Sequence, residues 1–167
     1  MEIDIIQLKR SIVVIFTISL SLCGGFYIST ATAFPQNPTT YNYFVAISEM
    51  PFINHTFEIG ASQFWREGGD CTDRAIMFKE YLHSKGAKDI HLIIARKIVN
   101  GKEVTDHYGG KGHCFVLWEG KVYNPMPAKD KYSIYGGDFE EYKHSLKVDY
   151  GYNTLYVDYG KNGIIKL

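Results

Sequence analysis

The amino-acid sequence predicts an α+β domain in which helices pack on one antiparallel β-sheet. One amphipathic helical pattern comes first. Several short segments rich in β-branched and aromatic residues follow it, separated by glycine-containing turns. Aromatic residues make up 15% of the 167 residues, which suits a folded domain with β-structure. A helix followed by several antiparallel strands favours the α+β class.

The predicted helix begins at a cysteine. Its apolar residues fall at positions i, i+4, i+7 and i+11, which form one stripe: Cys71, Ala75, Phe78 and Leu82. Asp70 is a suitable N-cap and Gly86 a C-terminal stop, so both ends carry recognisable signals. The aromatic-rich segment upstream, from Tyr41 to Trp65, is compatible with either helix or strand.

Two hairpins are predicted after this helix. The segment Ile90–Val99 is β-branched, and Asn100-Gly101 is a strong turn signal before a second strand from Glu103 to about Tyr108. The stretch from His113 to Pro125 then predicts a strand, a tight turn at Glu119-Gly120, and a partner strand.

The last elements are a short helix and two strands. Asp138 and Glu141 have the spacing of a capping box that opens the helix "DFEEYKHSL". The segment Asn153–Tyr159 predicts a strand, and a turn then leads into a final apolar piece, residues 164–167. No internal repeat interrupts this order.

The first 33 residues have the pattern of a targeting segment. Lys9 and Arg10 precede an apolar run, Ile12–Leu22, that is shorter than the roughly 20 residues of a membrane span. Ala31–Ala33 then offers the small-x-small pattern of a cleavage site. We expect residues 1–33 to be a signal peptide or an N-terminal membrane anchor. The protein is then extracytoplasmic, either secreted or membrane-anchored, and this segment contacts the membrane during export or as an anchor.

The rest of the chain divides into an extension and a domain. Residues 34–56 begin with "FPQNPTT" and are predicted to be a linker or N-terminal extension, and residues 57–167 to be the domain. Lys and Arg together number 18, as do Asp and Glu, so the net charge is zero and no nucleic-acid partner is expected.

Cys71 is the candidate nucleophile. Unpaired N–H groups and the dipole at a helix start favour a thiolate, so we expect a lowered pKa there. The glycines before it, Gly68 and Gly69, would let a substrate carbonyl approach the backbone, and the N–H of Cys71 could bind a developing oxyanion.

A thiolate needs an imidazole partner, which in turn needs an orienting acceptor. His113 begins one predicted strand, and Asn124 ends its hairpin partner. The two ends of such a hairpin lie side by side, with opposed Cβ atoms about 5 Å apart. The side-chain carbonyl of Asn124 could therefore accept a hydrogen bond from His113.

The two blocks "GGDCTDRAIMFKEYLHSKGAKDIHLIIARKI" and "GHCFVLWEGKVYNP" together resemble the transglutaminase-like family of cysteine enzymes in the papain-like superfamily. The resemblance implies a transglutaminase-like, papain-like core with Cys71 as nucleophile, His113 as base and Asn124 in the place of the orienting acid. The family usually has Asp there, whereas papain-like proteases use Asn. "DCTD" also resembles the start of the NlpC/P60 cell-wall peptidases, but the Gly-Asp strand signature of that group is missing before the histidine.

Several alternatives compete with this interpretation. Two cysteines in an extracytoplasmic domain favour a disulfide between Cys71 and Cys114. Adjacent strand residues face opposite ways, so Cys114 would point away from Cys71 if His113 faces it, and would be a small core residue. His107 is a second candidate base, and Cys71, His107 and His113 could form a metal site, although no close ligand spacing supports zinc. Gln63 and Trp65 are candidates for an oxyanion site or acyl pocket, or for ordinary packing.

The function predicted from these residues is that of a cysteine hydrolase, a peptidase or amidase. It acts on a peptide or protein substrate, such as a cell-wall peptide, through a thioester at Cys71. Acyl transfer to an amine is the related possibility, and no cofactor is expected. The alternative from another class is an extracellular binding or structural module that has the fold without the chemistry.

Overall fold

The computed structural model describes residues 39–55, 57–107, 109–127 and 133–167. These form an α+β fold, whose elements we number in chain order. The helices are α1 (Thr40–Glu49), α2 (Ala61–Glu67), α3 (Cys71–Ser84) and α4 (Phe139–Val148), with a 3₁₀-helix at Asp158–Gly160. The strands are β1 (Ile90–Val99), β2 (Lys102–Val104), β3 (His113–Trp118), β4 (Lys121–Asn124), β5 (Ile134–Asp138), β6 (Thr154–Val157) and β7 (Ile164–Lys166).

The strands form one antiparallel sheet. Their order is β5-β4-β3-β1-β6-β7, with β2 paired to β1 outside this path, and every pair is antiparallel. Strand β1 is central and pairs with β3 on one side and β6 on the other. The predicted α+β class with an antiparallel sheet is therefore confirmed.

The sheet has a hydrophobic core on each face. Leu92 and Ile94 of β1 belong to a cluster with side chains of α1, α2 and α3. Their neighbours Ile93 and Ala95 belong to a second cluster with side chains of α4. Residues of a strand alternate between faces, so a central strand buried on both sides is apolar at successive positions, as the run "LIIA" from Leu92 to Ala95 is.

The helix predicted from Cys71 is confirmed as α3. Asp70 is its N-cap, and its carboxylate accepts from the backbone N–H groups of Thr72 (2.8 Å) and Asp73 (3.1 Å). The Asp73 carboxylate accepts from the N–H of Asp70 in return, which completes a capping box. At the other end, Gly86 has a positive φ of 80°, a conformation that glycine adopts without steric cost.

Both hairpin turns lie where the sequence predicts them. Asn100-Gly101 and Glu119-Gly120 have positive φ at both residues, as a two-residue turn that matches the twist of the strands requires. Strand β2 ends at Val104, earlier than predicted, because the next residues form a turn. In that turn the N–H of Asp106 donates to the carbonyl oxygen of Gly110 at 2.7 Å, and the carboxylate of Asp106 accepts from the N–H of Gly110 at 2.8 Å.

Some elements were not predicted, among them α1, α2 and β5. Residues 34–56 were expected to be a linker or extension, yet α1 lies within them and buries Phe44 and Ile47 in the core. The packed unit therefore starts before residue 57. Strand β5 also has no clear sequence signal, because two of its five residues are glycines. The predicted targeting segment, residues 1–33, lies outside the described residues. Among the helices that are described, none is long and apolar enough to span a membrane.

One partly buried carboxylate connects α3, β1 and the 3₁₀-helix. Asp158 accepts four hydrogen bonds: from Lys79 Nζ (3.1 Å), His91 Nδ1 (2.8 Å), the Leu92 N–H (2.8 Å) and Asn162 Nδ2 (2.6 Å). Burial acts to raise the pKa of Asp158, but these hydrogen bonds outweigh it and hold the pKa well below its usual range. The ionised carboxylate therefore stabilises the fold.

We expect Asp158→Asn to lower the free energy of unfolding at pH 7 by about 1–2 kcal/mol. A depressed native pKa contributes stability above the unfolded value of about 4, and the contribution is lost as the pH falls toward the native value. The deficit of the variant should therefore shrink below about pH 4. Urea unfolding at pH 7 and pH 3 measures this, with the exposed Asp89→Asn as control; an equal deficit at both pH values contradicts it.

Candidate active site

Cys71 and His113 line one cavity of about 760 Å³. It lies where β3 begins and where α3 has its amino end. The remaining lining residues come from five other segments: Phe52, Asn54, His55, Asp70, Thr72, Arg96, Asp106, Gly110, Lys111, Gly112, Met126, Tyr150 and Tyr152. The fold thus brings two of the three predicted site residues to one concave surface.

The sulfur of Cys71 lies against the first peptide of β3. Cys71 is the first residue of α3 and packs on the core cluster that contains Cys114, the residue after His113, and a hydrogen bond from the backbone N–H of Cys114 acts to lower the pKa of its thiol. Cys71 and Cys114 are 43 positions apart in the sequence. The sulfur therefore lies near the start of β3, whereas the ring of His113 stacks with Phe115 on the other face of the sheet.

His113 is held by the third predicted residue. Its Nε2 lies 3.0 Å from Oδ1 of Asn124, and both side chains are buried. An amide oxygen only accepts, so this contact puts the proton of a neutral ring on Nε2 and leaves Nδ1 as the basic nitrogen. The amide Nδ2 of Asn124 donates to the hydroxyl of Tyr142 at 3.0 Å, so both ends of the amide have a partner.

The two residues are diagonal neighbours rather than directly opposed. The register of β3 and β4 pairs Val116 with Tyr123. Continued by one pair, it puts Asn124 opposite Phe115, two residues along β3 from His113. Diagonal neighbours lie about 7–8 Å apart, within reach of two long side chains that extend toward each other. The imidazole is also nearly parallel to the rings of Phe115 and Tyr150, at centroid distances of 6.3 and 6.4 Å.

The pKa of Cys71 is raised, so the prediction that the helix start would lower it is wrong. Burial is the main cause, and the carboxylate of Asp70 adds to it by repelling a thiolate. Hydrogen bonds from the Cys114 N–H, the Thr72 hydroxyl and the N–H of Cys71 itself act in the opposite direction but do not compensate. The resting side chain is therefore a thiol.

The two glycines before Cys71 do not serve the cavity as predicted. Gly68 has a φ of 96°, and a Cβ there would lie 2.1 Å from the carbonyl oxygen of Pro51. A Cβ on Gly69 would lie 2.7 Å from that of Asp73. These glycines allow the segment after α1 to pack closely against the turn that leads into α3.

Cys114 lies on the face opposite to the one predicted. Strand residues do alternate, but Cys114 belongs to the core shared with α3, whereas His113 lies on the face of Phe115 and α4. The facing argument against a bridge required His113 to face Cys71, and this condition is not met, because Cys114 is the residue on the α3 side of the sheet. Both cysteines are free thiols in the structure, and Cys114 is 2% exposed in the core.

The other candidate residues lie away from the cavity. His107 is exposed, with Nδ1 3.2 Å from the carbonyl oxygen of Asp149. Gln63 donates to Glu67 at 3.0 Å, and Trp65 packs edge-to-face on Tyr43. No cluster of three or more metal-binding side chains occurs among the described residues, and the proposed set with His107 is not assembled.

Sequence reasoning missed several polar residues that shape the cavity. Asp106 accepts from the hydroxyl of Tyr152 at 2.5 Å, and Arg96 forms an ion pair with Glu103 at 3.0 Å. Arg96 also fills the space beside Gly112, where a Cβ would lie 1.6 Å from its Nη1. These residues come from β1 and from the loops around β3, and only the sheet register brings them together.

No family model, curated protein or solved structure matches this chain. The function therefore has to be inferred from the geometry of the site.

Asp70→Asn tests the cause of the raised thiol pKa. Asparagine caps helices as well as aspartate does but carries no charge, so the pKa of Cys71 should fall. We expect the profile of iodoacetamide labelling against pH to shift to lower pH, with faster labelling of Cys71 at pH 7.5. Peptide mapping by mass spectrometry measures the rate at each cysteine. Asp138→Asn, the same change at the N-cap of α4, should leave the profile unchanged; an unmoved profile for Asp70→Asn contradicts the assignment.

Proposed function

We propose that this protein is a cysteine hydrolase that cleaves peptide or isopeptide amides, with Cys71 as nucleophile, His113 as general base and Asn124 as the residue that orients His113. The observation that carries the proposal is the hydrogen-bonded pair of His113 and Asn124, 3.0 Å apart, in the wall of the cavity that Cys71 also lines. A nucleophile, a base and an orienting acceptor are the parts that acyl transfer through a thioester requires.

The proposed reaction has two steps. In the first, the sulfur of Cys71 attacks the amide carbon while Nδ1 of His113 takes the thiol proton. The carbon–sulfur bond forms, the carbon–nitrogen bond breaks, and the imidazolium gives its proton to the departing amine. In the second step water attacks the thioester carbon while His113 takes one of its protons. The carbon–sulfur bond breaks, His113 gives that proton to the departing sulfur, and the thiol and a carboxylic acid are released.

The raised thiol pKa defines how this site would work. A thiolate formed in advance is disfavoured by burial and by Asp70, so the proton leaves Cys71 only as the sulfur attacks. His113 then acts as a base during the reaction rather than as the partner of a resting ion pair. The backbone N–H of Cys114, already bonded to the sulfur, helps to stabilise the charge that develops there.

The transglutaminase-like, papain-like core is the finer fold assignment that we propose. Support comes from the order of parts: a cysteine on the first turn of a helix, a histidine that opens an antiparallel strand, and an acceptor that ends the next strand. Extracytoplasmic location, as a secreted or membrane-anchored protein, is proposed from the sequence of residues 1–33. An exported peptidase would meet extracellular or cell-wall peptides as substrates.

A second candidate is an extracellular binding or structural module with the same fold and no catalysis. The raised pKa of Cys71 favours it, because buried thiols with raised pKa values are typically unreactive. The neutral Asn124 stabilises an imidazolium less than a carboxylate would. The two candidates differ in whether the reactivity of Cys71 depends on His113.

Labelling of the full chain with iodoacetamide separates the two candidates. Cys114 is almost fully buried and its pKa is raised well above its usual range, so it should label slowly in either case. If the protein is the proposed enzyme, His113→Ala should slow labelling of Cys71 at pH 7.5 by about 100-fold, which is the contribution expected of a positioned base. His107→Ala is the matched control at an exposed histidine.

An unchanged rate in His113→Ala would establish the inert module instead. Labelling of neither Cys71 nor Cys114 until a reductant is added would show that they form a disulfide. Urea-unfolded protein, in which both cysteines are accessible, gives the reference rate for each.

Substitutions of Asn124 test its orienting role. Asn124→Ala removes the acceptor for Nε2, so labelling of Cys71 should slow on the order of tenfold. Asn124→Asp keeps the acceptor and adds a charge that favours the imidazolium, so it should label at least as fast as the parent protein and raise the pKa of His113. Labelling rates and NMR titration of the ring measure both effects. If Cys71 is labelled at the wild-type rate in Asn124→Ala, Asn124 is not part of the proposed triad.

A further inference from the structure

Arg74 is a fully buried charged side chain one turn along α3 from Cys71, and it is 0% exposed. Its guanidinium donates to four backbone carbonyl oxygens: Ile47 (2.6 Å), Met50 (2.6 Å), Gly69 (3.1 Å) and Pro125 (3.3 Å). Burial lowers its pKa, and the nearby acidic groups Cys71, Asp70 and Asp73 support its charge. A buried cation is retained only where its donors are satisfied in this way.

The four carbonyls belong to three separate segments. Ile47 and Met50 are at the carboxyl end of α1, where unpaired carbonyls and the helix dipole favour a cation. Gly69 precedes Cys71 by two residues, and Pro125 directly follows Asn124. One side chain therefore joins the turn that presents the candidate nucleophile to the strand end that presents the candidate orienting residue.

We propose that Arg74 is a positioning residue that fixes Cys71 and the His113–Asn124 pair relative to each other, an inference that rests on the proposed cysteine hydrolase function. The planar guanidinium offers N–H groups in a fixed fork, so it can hold carbonyls that lie in different directions at set distances. A lysine at this position carries the same charge but cannot span the three segments. Arg74 therefore holds the three segments at fixed distances, in addition to supplying a charge.

The test combines Arg74→Lys with His113→Ala in the full chain. If Arg74 positions the site, Arg74→Lys should slow labelling of Cys71 to within about twofold of the His113→Ala rate. The double variant should then label no more slowly than either single variant. Leu155→Ala, a core truncation in the cluster on the α4 face, controls for loss of stability and should keep the rate and its pH profile.

Each outcome has one meaning. If Cys71 is labelled at the wild-type rate in Arg74→Lys but slowly in His113→Ala, the positioning role is overturned and the proposed function stands. A parental rate in His113→Ala overturns the proposed function and the inference with it. If Arg74→Lys does not fold, NMR of the parental chain decides. Alkylation of Cys71 should shift the Nε–H signal of Arg74 and the amide signals of Asn124 together, while the exposed Arg66 stays unchanged; no shift in either overturns the positioning role.

Discussion

The arrangement of this site depends on the hydrogen bonds of one buried guanidinium. Arg74 has no exposed surface, so each of its donors must find an acceptor within the protein. The carbonyls of Ile47 and Met50 can accept from Arg74 only if α1 ends against α3. The carbonyl of Pro125 can accept only if the end of β4 also lies close to Arg74. Loss of any one segment would leave a buried charge with unpaired donors, which is costly. The helix that the sequence assigned to a linker is thus part of the support of the site.

Burial has opposite effects on the fold and on the chemistry of Cys71. Packing of α3 on the core beside β3 leaves Cys71 only partly exposed. The same burial raises the pKa of the thiol and disfavours the ion that a nucleophile must become. In the proposed reaction, a base that is already oriented would resolve this conflict, because it would remove the proton only when the sulfur attacks. The hydrogen bond between His113 and Asn124 provides that orientation without water.

Local signals in the sequence were sufficient for some elements and not for others. The helix α3 and the two hairpin turns were predictable because an N-cap, an apolar stripe and Asn-Gly or Glu-Gly turns act within a few residues. Helix α1 has similar local character but its aromatic residues suit a strand equally well, so only packing on α3 decides. The side on which Cys114 lies depends on the register of β3 and on the position of α3 over the sheet. The partners of Arg74 lie up to 51 positions away, and no local pattern encodes them.

The amide at position 124 is consistent with an active site because of its second hydrogen bond. The nitrogen of Asn124 donates to the hydroxyl of the buried Tyr142, and its oxygen faces His113. A carboxylate has two equivalent oxygens, which would not distinguish the two partners and would need Tyr142 to turn its proton inward. It would also place a charge among apolar rings, since Phe115 packs edge-to-face on Tyr142 with centroids 5.0 Å apart. In this environment an amide gives up some stabilisation of the imidazolium and gains a fixed orientation. A fixed orientation suits the proposed site, because its thiol stays protonated at rest and the ring of His113 has to be oriented before it takes the proton.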